Sequence, residues 1–401
     1  MPESPEPGDR HASWLELFFD LVVVAAVHQL THLLETEGDH GPDRQDMVLF
    51  VTLYLAIWLV WTTFTLYSNV LAERVRVRSM FLGMGGIAVM AASVPEVLAD
   101  RANIFAVAYL VTSALGNGAF SRSGLVVLSW GAATRTAGLL PWIISFWVAD
   151  PRWKLTLWIV GLAMTLYFSV LFGRGGSRQV VDRLNQQLAR RTERSRQRRA
   201  RAGGDVPGAP KLVVAQVDTA HLGERLGLFV IIVLGEGMLL LVDSWSQIDD
   251  WAPGGGKGWL LALAVVSGFA LLITLWALNV RYAFAEAHPY SPSVVLPAHF
   301  LVVVTITTIA AGLGAVEGAP AEHLPASTNW LLCSGVSAFL LIVTLLSRAT
   351  RRWALTAVAI ALPIGAGALE PVVPASVIAL VLTVAAAGQL WNLGKALASD
   401  A

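Results

Sequence analysis

Residues 47–72 read MVLFVTLYLAIWLVWTTFTLYSNVLA and contain no charged side chain. A helix that crosses a bilayer needs about 20 predominantly apolar residues, because no water in the hydrocarbon can satisfy its backbone polar groups. The stretch exceeds that length, so it predicts a membrane-spanning helix.

The same pattern recurs along the chain. Six further stretches have no Asp, Glu, Lys or Arg: 102–121, 155–173, 258–280, 287–316, 323–347 and 371–394. Five shorter or interrupted apolar stretches complete the set: 14–34, 79–98, 123–149, 219–242 and 353–369. We therefore predict an all-α integral membrane protein with about twelve transmembrane helices.

Composition excludes an ordinary soluble protein. Of the 401 residues, 55% are hydrophobic and only 14% are charged, where about 25% charged is usual. The 28 Lys and Arg balance the 28 Asp and Glu, so net charge indicates no anionic or cationic partner. The single cysteine, Cys333, excludes an intrachain disulfide and a cysteine-based zinc site.

The basic residues predict the orientation. With the N-terminus in the cytosol, the predicted cytosolic segments hold 21 of the 28 Lys and Arg residues, as the positive-inside rule requires. A missed or invented helix would invert every later loop and spoil this bias. We therefore predict that both termini are cytoplasmic, and that the first span is retained because no signal-peptide cleavage site follows it.

The predicted spans divide six and six. The predicted segments are a cytosolic tail (1–13), a first membrane half (14–172), an Arg-rich cytosolic linker (173–217), a second membrane half (218–394) and a cytosolic tail (395–401). Glu16 aligns with Glu224 and Asn69 with Asn279 when one half is laid over the other. Such self-similarity is typical of transporters built from two related bundles.

The linker has two open interpretations. It can act only as the cytosolic anchor that the positive-inside rule expects, or its Arg-rich segment can dock on anionic lipid headgroups. Nucleic-acid binding is not predicted, because no aromatic residues interleave the basic run.

Two ordered strings carry a family resemblance. WLELFFDLV at 14–22 begins the first span, and HLGERLGLF at 221–229 is followed by IIVLGE at 231–236. They resemble the signature segments of the bacterial low temperature requirement A family, whose length and hydropathy layout also agree with this chain. The resemblance implies a multi-pass protein of the bacterial plasma membrane. The family name refers to a growth phenotype and implies no substrate or reaction.

Ionisable residues inside a span cost roughly 2.5 to 3.5 kcal/mol each on insertion scales, so they usually face the bundle interior. Glu16 and Asp20 lie four residues apart in the first span, so both carboxylates can face one groove. They predict either a cation or proton site, or a helix cap at Glu16 with an ion partner for Asp20.

The seventh span carries a stripe of three ionisable side chains. His221, Arg225 and Glu236 fall within about 60° on a helical wheel, and Arg225 lies about 16 Å from Glu236 along the axis. We expect Arg225 to pair with Glu16 or Asp20. Glu236 is expected to lack a counter-ion and to take up a proton, because desolvation disfavours the charged form. A purely structural network is the alternative.

Other polar residues are weaker candidates for a pathway. Arg135 lies before Pro141 in the fifth span, where the helix is expected to kink or break. Asn69 and Asn279 are typical interhelical hydrogen bonders, and His299 is more typical of a satisfied core imidazole. His28 and His32 have the spacing of a zinc pair, but no third ligand is evident, so no metal is predicted.

These features favour a proton- or ion-coupled transporter or channel for a small solute. The alternatives are an integral-membrane enzyme that uses His221, Arg225 and Glu236 for acid–base work, or a lipid-interacting stress-response protein. Neither a nucleotide-binding P-loop nor a dinucleotide fingerprint is present, so we predict no cofactor. The predicted partners are membrane lipids and an unknown solute or ion.

Overall fold

The computed structural model describes residues 11–35, 40–72, 75–123, 125–127, 137–174, 213–215, 217–246, 258–284, 291–347, 353–369 and 372–398. Its α-helices are α1 (Trp14–Thr31), α2 (Arg44–Leu71), α3 (Val77–Ala92), α4 (Ala102–Ser123), α5 (Leu140–Ile144), α6 (Pro151–Arg174), α7 (Thr219–Ser246), α8 (Gly258–Leu278), α9 (Pro292–Gly318), α10 (Ala326–Ser347), α11 (Trp353–Gly367) and α12 (Ala375–Ala398). Each of the twelve predicted segments contains one of these helices.

Helix length and composition identify a multi-pass membrane protein. Within the described ranges, eight helices are long and apolar enough to cross a bilayer, namely α1, α2, α4, α7, α8, α9, α10 and α12. The helices α3 and α11 and the segment around α5 are apolar but shorter. The multi-pass helical architecture is therefore confirmed, while the count of twelve spans stays a prediction.

The fifth predicted span differs most from expectation. Its described part is not one long helix: Leu125–Val127 forms strand β1, which pairs in parallel with β2 (Val213–Ala215). Further along, α5 is five residues long and has Pro141 in its first turn. Proline lacks an N–H and is best tolerated in the first turn of a helix, and α5 begins one residue before Pro141. The expected kink or break of the whole span stays a prediction. Arg135 and most of the linker lie outside the described residues.

Local sequence also sets where helices begin and end. At the start of α1, Ser13 and Glu16 form a reciprocal capping box, which satisfies backbone N–H groups that the helix itself cannot. The helix α3 ends at Ala92, earlier than the predicted 79–98. Pro95 follows closely, and residues before a proline disfavour helical geometry, so the sequence stops α3.

The helices form two compact units. The first contains α1, α2 up to Trp58, α7 from Ala220, α8, α9 from Pro297, and α10 to α12. Within it α8 packs along α12, and α11 packs against both α10 and α12. This unit holds the ionisable side chains of α1 and α7.

The second unit contains the rest of α2, the helices α3 to α6 and both strands. Its α3 and α4 approach closely at Gly86, where a Cβ atom would collide with the Thr112 side chain. The indole rings of Trp142 and Trp158 stack with centroids 4.9 Å apart. The two units are defined by which helices pack together, and they do not coincide with the predicted six-plus-six halves. The two halves stay a prediction.

Candidate functional site

Four ionisable side chains meet between the first turns of α1 and α7. We call Glu16, Asp20, His221 and Arg225 the Arg225 cluster. A guanidinium nitrogen of Arg225 lies 2.5 Å from Oδ1 of Asp20, and another lies 3.7 Å from Oε1 of Glu16. Nε2 of His221 lies 3.4 Å from Oε2 of Glu16. The expected pairing of Arg225 with the acids of the first span is therefore present.

The Arg225 cluster is sealed from solvent. The side chains of Arg225, Asp20 and His221 are 0% exposed, and that of Glu16 is 3% exposed. Two carboxylates face one guanidinium, so the cluster is electrically neutral only when it holds one further proton. Because a buried charge costs several kcal/mol unless it is paired, this arrangement holds the four side chains together.

Glu16 serves two neighbours at once. Its Oε2 accepts hydrogen bonds from the backbone N–H and the hydroxyl of Ser13, both at 2.9 Å. The hydroxyl oxygen of Ser13 accepts in turn from the Glu16 N–H at 3.4 Å. The expected cap is confirmed, and through Oε1 the same carboxylate also contributes to the charge around Arg225.

Glu236 has a partner, so the expectation that it lacks a counter-ion is wrong. Nδ1 of His28 on α1 lies 2.5 Å from Oε1 of Glu236 on α7. The Glu236 side chain is 6% exposed, whereas that of His28 is 44% exposed. The sequence alone does not show which residue of α1 meets Glu236. We refer to these residues as the His28–Glu236 pair.

The two sites show that α1 and α7 run in parallel. Asp20 meets Arg225, and further along both helices His28 meets Glu236. At 1.5 Å per residue, the contacts are about 12 Å apart along α1 and about 16 Å apart along α7. Polar side-chain contacts therefore join α1 and α7 at two positions along their length.

From His28, side-chain contacts continue towards the end of α1 and beyond it. The rings of His28 and His32 have centroids 4.8 Å apart in an edge-on arrangement. Nδ1 of His32 lies 2.7 Å from Oε1 of Glu35, and both side chains are about half exposed, at 47% and 44%. The described residues contain no group of three or more metal-ligating side chains.

The remaining candidates have separate surroundings. Asn69 clamps the backbone of Asp218 through two hydrogen bonds of 2.9 Å. Asn279 is fully buried in a π-helical turn (Asn279–Ala283) that continues α8. Glu224 is one-third exposed and faces His11 at 3.3 Å. None of these contacts joins the Arg225 cluster.

His299 is fully buried in an aromatic environment. Nδ1 of His299 accepts a hydrogen bond of 3.2 Å from the indole N–H of Trp58. The rings of Phe229 and Phe284 lie edge-on to it, with centroids 5.4 Å and 5.3 Å away. These surroundings place His299 in the buried core.

Two buried polar features escaped the sequence analysis. Glu317, which was placed in a loop after the ninth span, is 0% exposed at the end of α9. In α12, Gln389 and Asn392 donate to Thr344 and Thr356 at 2.8 Å and 3.1 Å. Their three-residue spacing, which places both on one helix face, was the available signal.

Comparison with known proteins gives a family and one relative. The family model of the bacterial low temperature requirement A protein (LtrA) matches residues 11–390. An uncharacterized protein of Rhizobium meliloti (strain 1021) is 31% identical over 283 residues, an alignment that covers 66% of this chain and 57% of the relative. No solved structure matches the chain.

The matched region contains both signature strings, the Arg225 cluster and the His28–Glu236 pair. It extends from before α1 into α12, and thus includes every candidate residue described above. The chain belongs to the bacterial low temperature requirement A (LtrA) family.

Proposed function

We propose that this LtrA-family chain is a proton- or ion-coupled transporter or channel for a small solute. In this proposal it crosses the bacterial plasma membrane twelve times, in two related halves, with both termini in the cytoplasm. The observation that carries the proposal is the His28–Glu236 pair, in which a buried carboxylate is bonded to a half-exposed histidine. Both groups can gain and lose a proton, as a coupling site requires.

Membrane energetics support this role. A carboxylate within a span is costly, and such residues usually mark ion pathways or proton relays. Histidine is the side chain whose ordinary titration lies nearest physiological pH. The parallel course of α1 and α7 also agrees with two halves related by an axis along the membrane normal.

The test is proton flux into liposomes that contain the purified protein and a pH-sensitive dye. An imposed pH gradient and then an imposed potential would drive flux in the wild type and in Glu236→Gln. Asp243→Asn is the matched control, because it removes an exposed carboxylate from the same helix. We expect flux in the wild type and in the control, and its loss in Glu236→Gln.

The contradicting result is an absence of flux in folded, correctly inserted wild-type protein under both gradients. Folding would be checked by size-exclusion chromatography and by tryptophan fluorescence during melting. That outcome would favour a membrane enzyme or a lipid-interacting protein, and analysis of copurified lipid would follow.

A further inference from the structure

Four titratable side chains form a continuous row at one end of the α1–α7 pair. We call Glu236, His28, His32 and Glu35 the histidine row. Oε1 of Glu236 lies 2.5 Å from Nδ1 of His28. The ring centroids of His28 and His32 are 4.8 Å apart, and Nδ1 of His32 lies 2.7 Å from Oε1 of Glu35. The row leads from Glu236 on α7 to Glu35, four residues beyond the end of α1.

Exposure rises from the first member of the row to the second and then stays level. Glu236 is 6% exposed, His28 44%, His32 47% and Glu35 44%. One end of the row is therefore buried in protein, and the rest is open at the surface of the helix. In the opposite direction along α1, the side chains of the Arg225 cluster are nearly inaccessible.

The predicted topology puts the exposed end of the histidine row at the outer boundary of the membrane. Counted from Trp14, His28 lies about 21 Å and His32 about 27 Å along α1 at 1.5 Å per residue. The hydrocarbon layer is about 30 Å thick. If α1 starts at the cytosolic interface, His32 and Glu35 reach the outer interface and His28 lies one turn below it.

From this geometry we propose that the histidine row is the outer proton access path to Glu236. The inference deepens the proposed function: it assigns the proton as the coupling ion and the outer side as the side of entry. The row admits protons from outside, while the sealed Arg225 cluster blocks the same route towards the cytosol.

The proton steps balance within the row. A proton on Nδ1 of His28 moves along the hydrogen bond to Oε1 of Glu236, leaving a neutral imidazole and a protonated carboxyl. The imidazole regains a proton from outer water, either directly or after His32 and Glu35 have taken it up. The edge-on contact of the two imidazole rings places His32 directly beside His28.

Among the described residues, the ion pairs of the row are those between His28 and Glu236 and between His32 and Glu35. Next to Glu236, the position of Gly237 is lined by Ala310 of α9 and Leu272 of α8, both apolar. Glu317 on α9 lies seven residues, or about 10 Å, beyond Ala310, and borders Gly268 of α8.

Cysteine accessibility tests the path without requiring flux. The native Cys333 is buried, so a Cys333→Ala background leaves any introduced cysteine as the single thiol. His28→Cys and His32→Cys would be treated, in intact cells, with a membrane-impermeant cationic thiosulfonate added outside. Leu21→Cys is the control, since Leu21 is 54% exposed on the same helix but lies within the predicted hydrocarbon layer.

We expect positions 28 and 32 to react from outside and position 21 to stay unmodified. Protection of position 28 from the outer reagent, or its modification only from the cytosolic side, would overturn the proposal. Neither result depends on whether the protein transports anything.

Flux measurements complete the test. His28→Gln should lose the proton flux of the wild type, and His32→Gln and Glu35→Gln should slow it. His323→Gln and Glu322→Gln, which change exposed residues of another predicted outer loop, should leave it unchanged.

Normal flux in His28→Gln, with flux lost in Glu236→Gln, would overturn the path but not the transport proposal. Absent wild-type flux would refute transport, and the labelling would then decide the path alone.

Discussion

The Arg225 cluster and the His28–Glu236 pair join the same two helices, but they differ in charge and in access. The cluster contains a permanent cation, and its side chains are at most 3% exposed. The pair contains only groups that can become neutral, and His28 is 44% exposed. Under the proposed function, one helix pair holds a structural ion network at one level and a proton site at another.

The chemistry of the cation explains the contrast. Arginine does not lose its proton in proteins, so it cannot become neutral when one of its partners is removed. When either member of the His28–Glu236 pair is removed, the other can adopt its neutral form. We therefore expect substitutions in the cluster to reduce stability, and substitutions in the pair to affect proton transfer.

The largest expected effect is that of Arg225→Met. Asp20 and Glu16 would be left buried without their cation, which should lower the free energy of unfolding by about 3 to 5 kcal/mol. Thermal and denaturant unfolding in detergent would measure the loss. An unchanged unfolding transition would remove the distinction between cluster and pair.

Asp20→Asn should have the next largest effect. Arg225 would keep an amide oxygen as acceptor at this position, and Glu16 at 3.7 Å, but would lose the carboxylate charge of Asp20, so we expect a loss of about 2 kcal/mol. Combining it with Arg225→Met gives a double-mutant cycle. Because the two residues are in contact, the combined loss should be smaller than the sum of the single losses. Simple additivity would show that the contact contributes nothing.

Ser13→Ala separates the two roles of Glu16. The substitution removes the helix cap but keeps the carboxylate near Arg225, so it should cost about 1 kcal/mol. The same unfolding assay in an Arg225→Met background shows whether cap and cluster are independent. A loss as large as that of Arg225→Met would show that Ser13 is essential for positioning Glu16.

The smallest effect on stability is expected for Glu236→Gln. Glutamine can still bond to His28, and His28 can stay neutral, so the free energy of unfolding should change by no more than about 1 kcal/mol. Unfolding measured alongside the flux assay checks this. A loss as large as that of Arg225→Met would make the pair a structural element like the cluster.

Much of the architecture could be predicted because bilayer physics acts on single segments. Apolar stretches predicted the twelve segments in which the helices lie, and the common depth of Arg225 and Asp20 predicted their pairing. In the fifth predicted span, the described residues include strand β1 and the short helix α5. The strand was not predicted because hydropathy does not separate a short apolar strand from a helix.

Contacts between helices were harder to predict, since rotation and register depend on the whole bundle. The spacing of His28 and His32 along α1 suggests only a metal pair. It carries no information about the contact between His28 and Glu236, which lies on α7. Glu317 was placed in a loop because the apolar run ends at residue 316, yet α9 continues through Gly318. Buried carboxylates at helix ends therefore need the structure to be recognised.

The most direct measurement is the infrared difference spectrum of the reconstituted protein between neutral and acidic outer buffer. The carbonyl stretch of a buried, newly protonated carboxyl group, distinct from the bands of the exposed carboxyl groups, should appear in the wild type and in Asp20→Asn and be absent in Glu236→Gln. That result would establish Glu236 as the carboxylate that exchanges a proton with the outer side. Persistence of the band in Glu236→Gln, or its loss in Asp20→Asn, would contradict the assignment of the two sites.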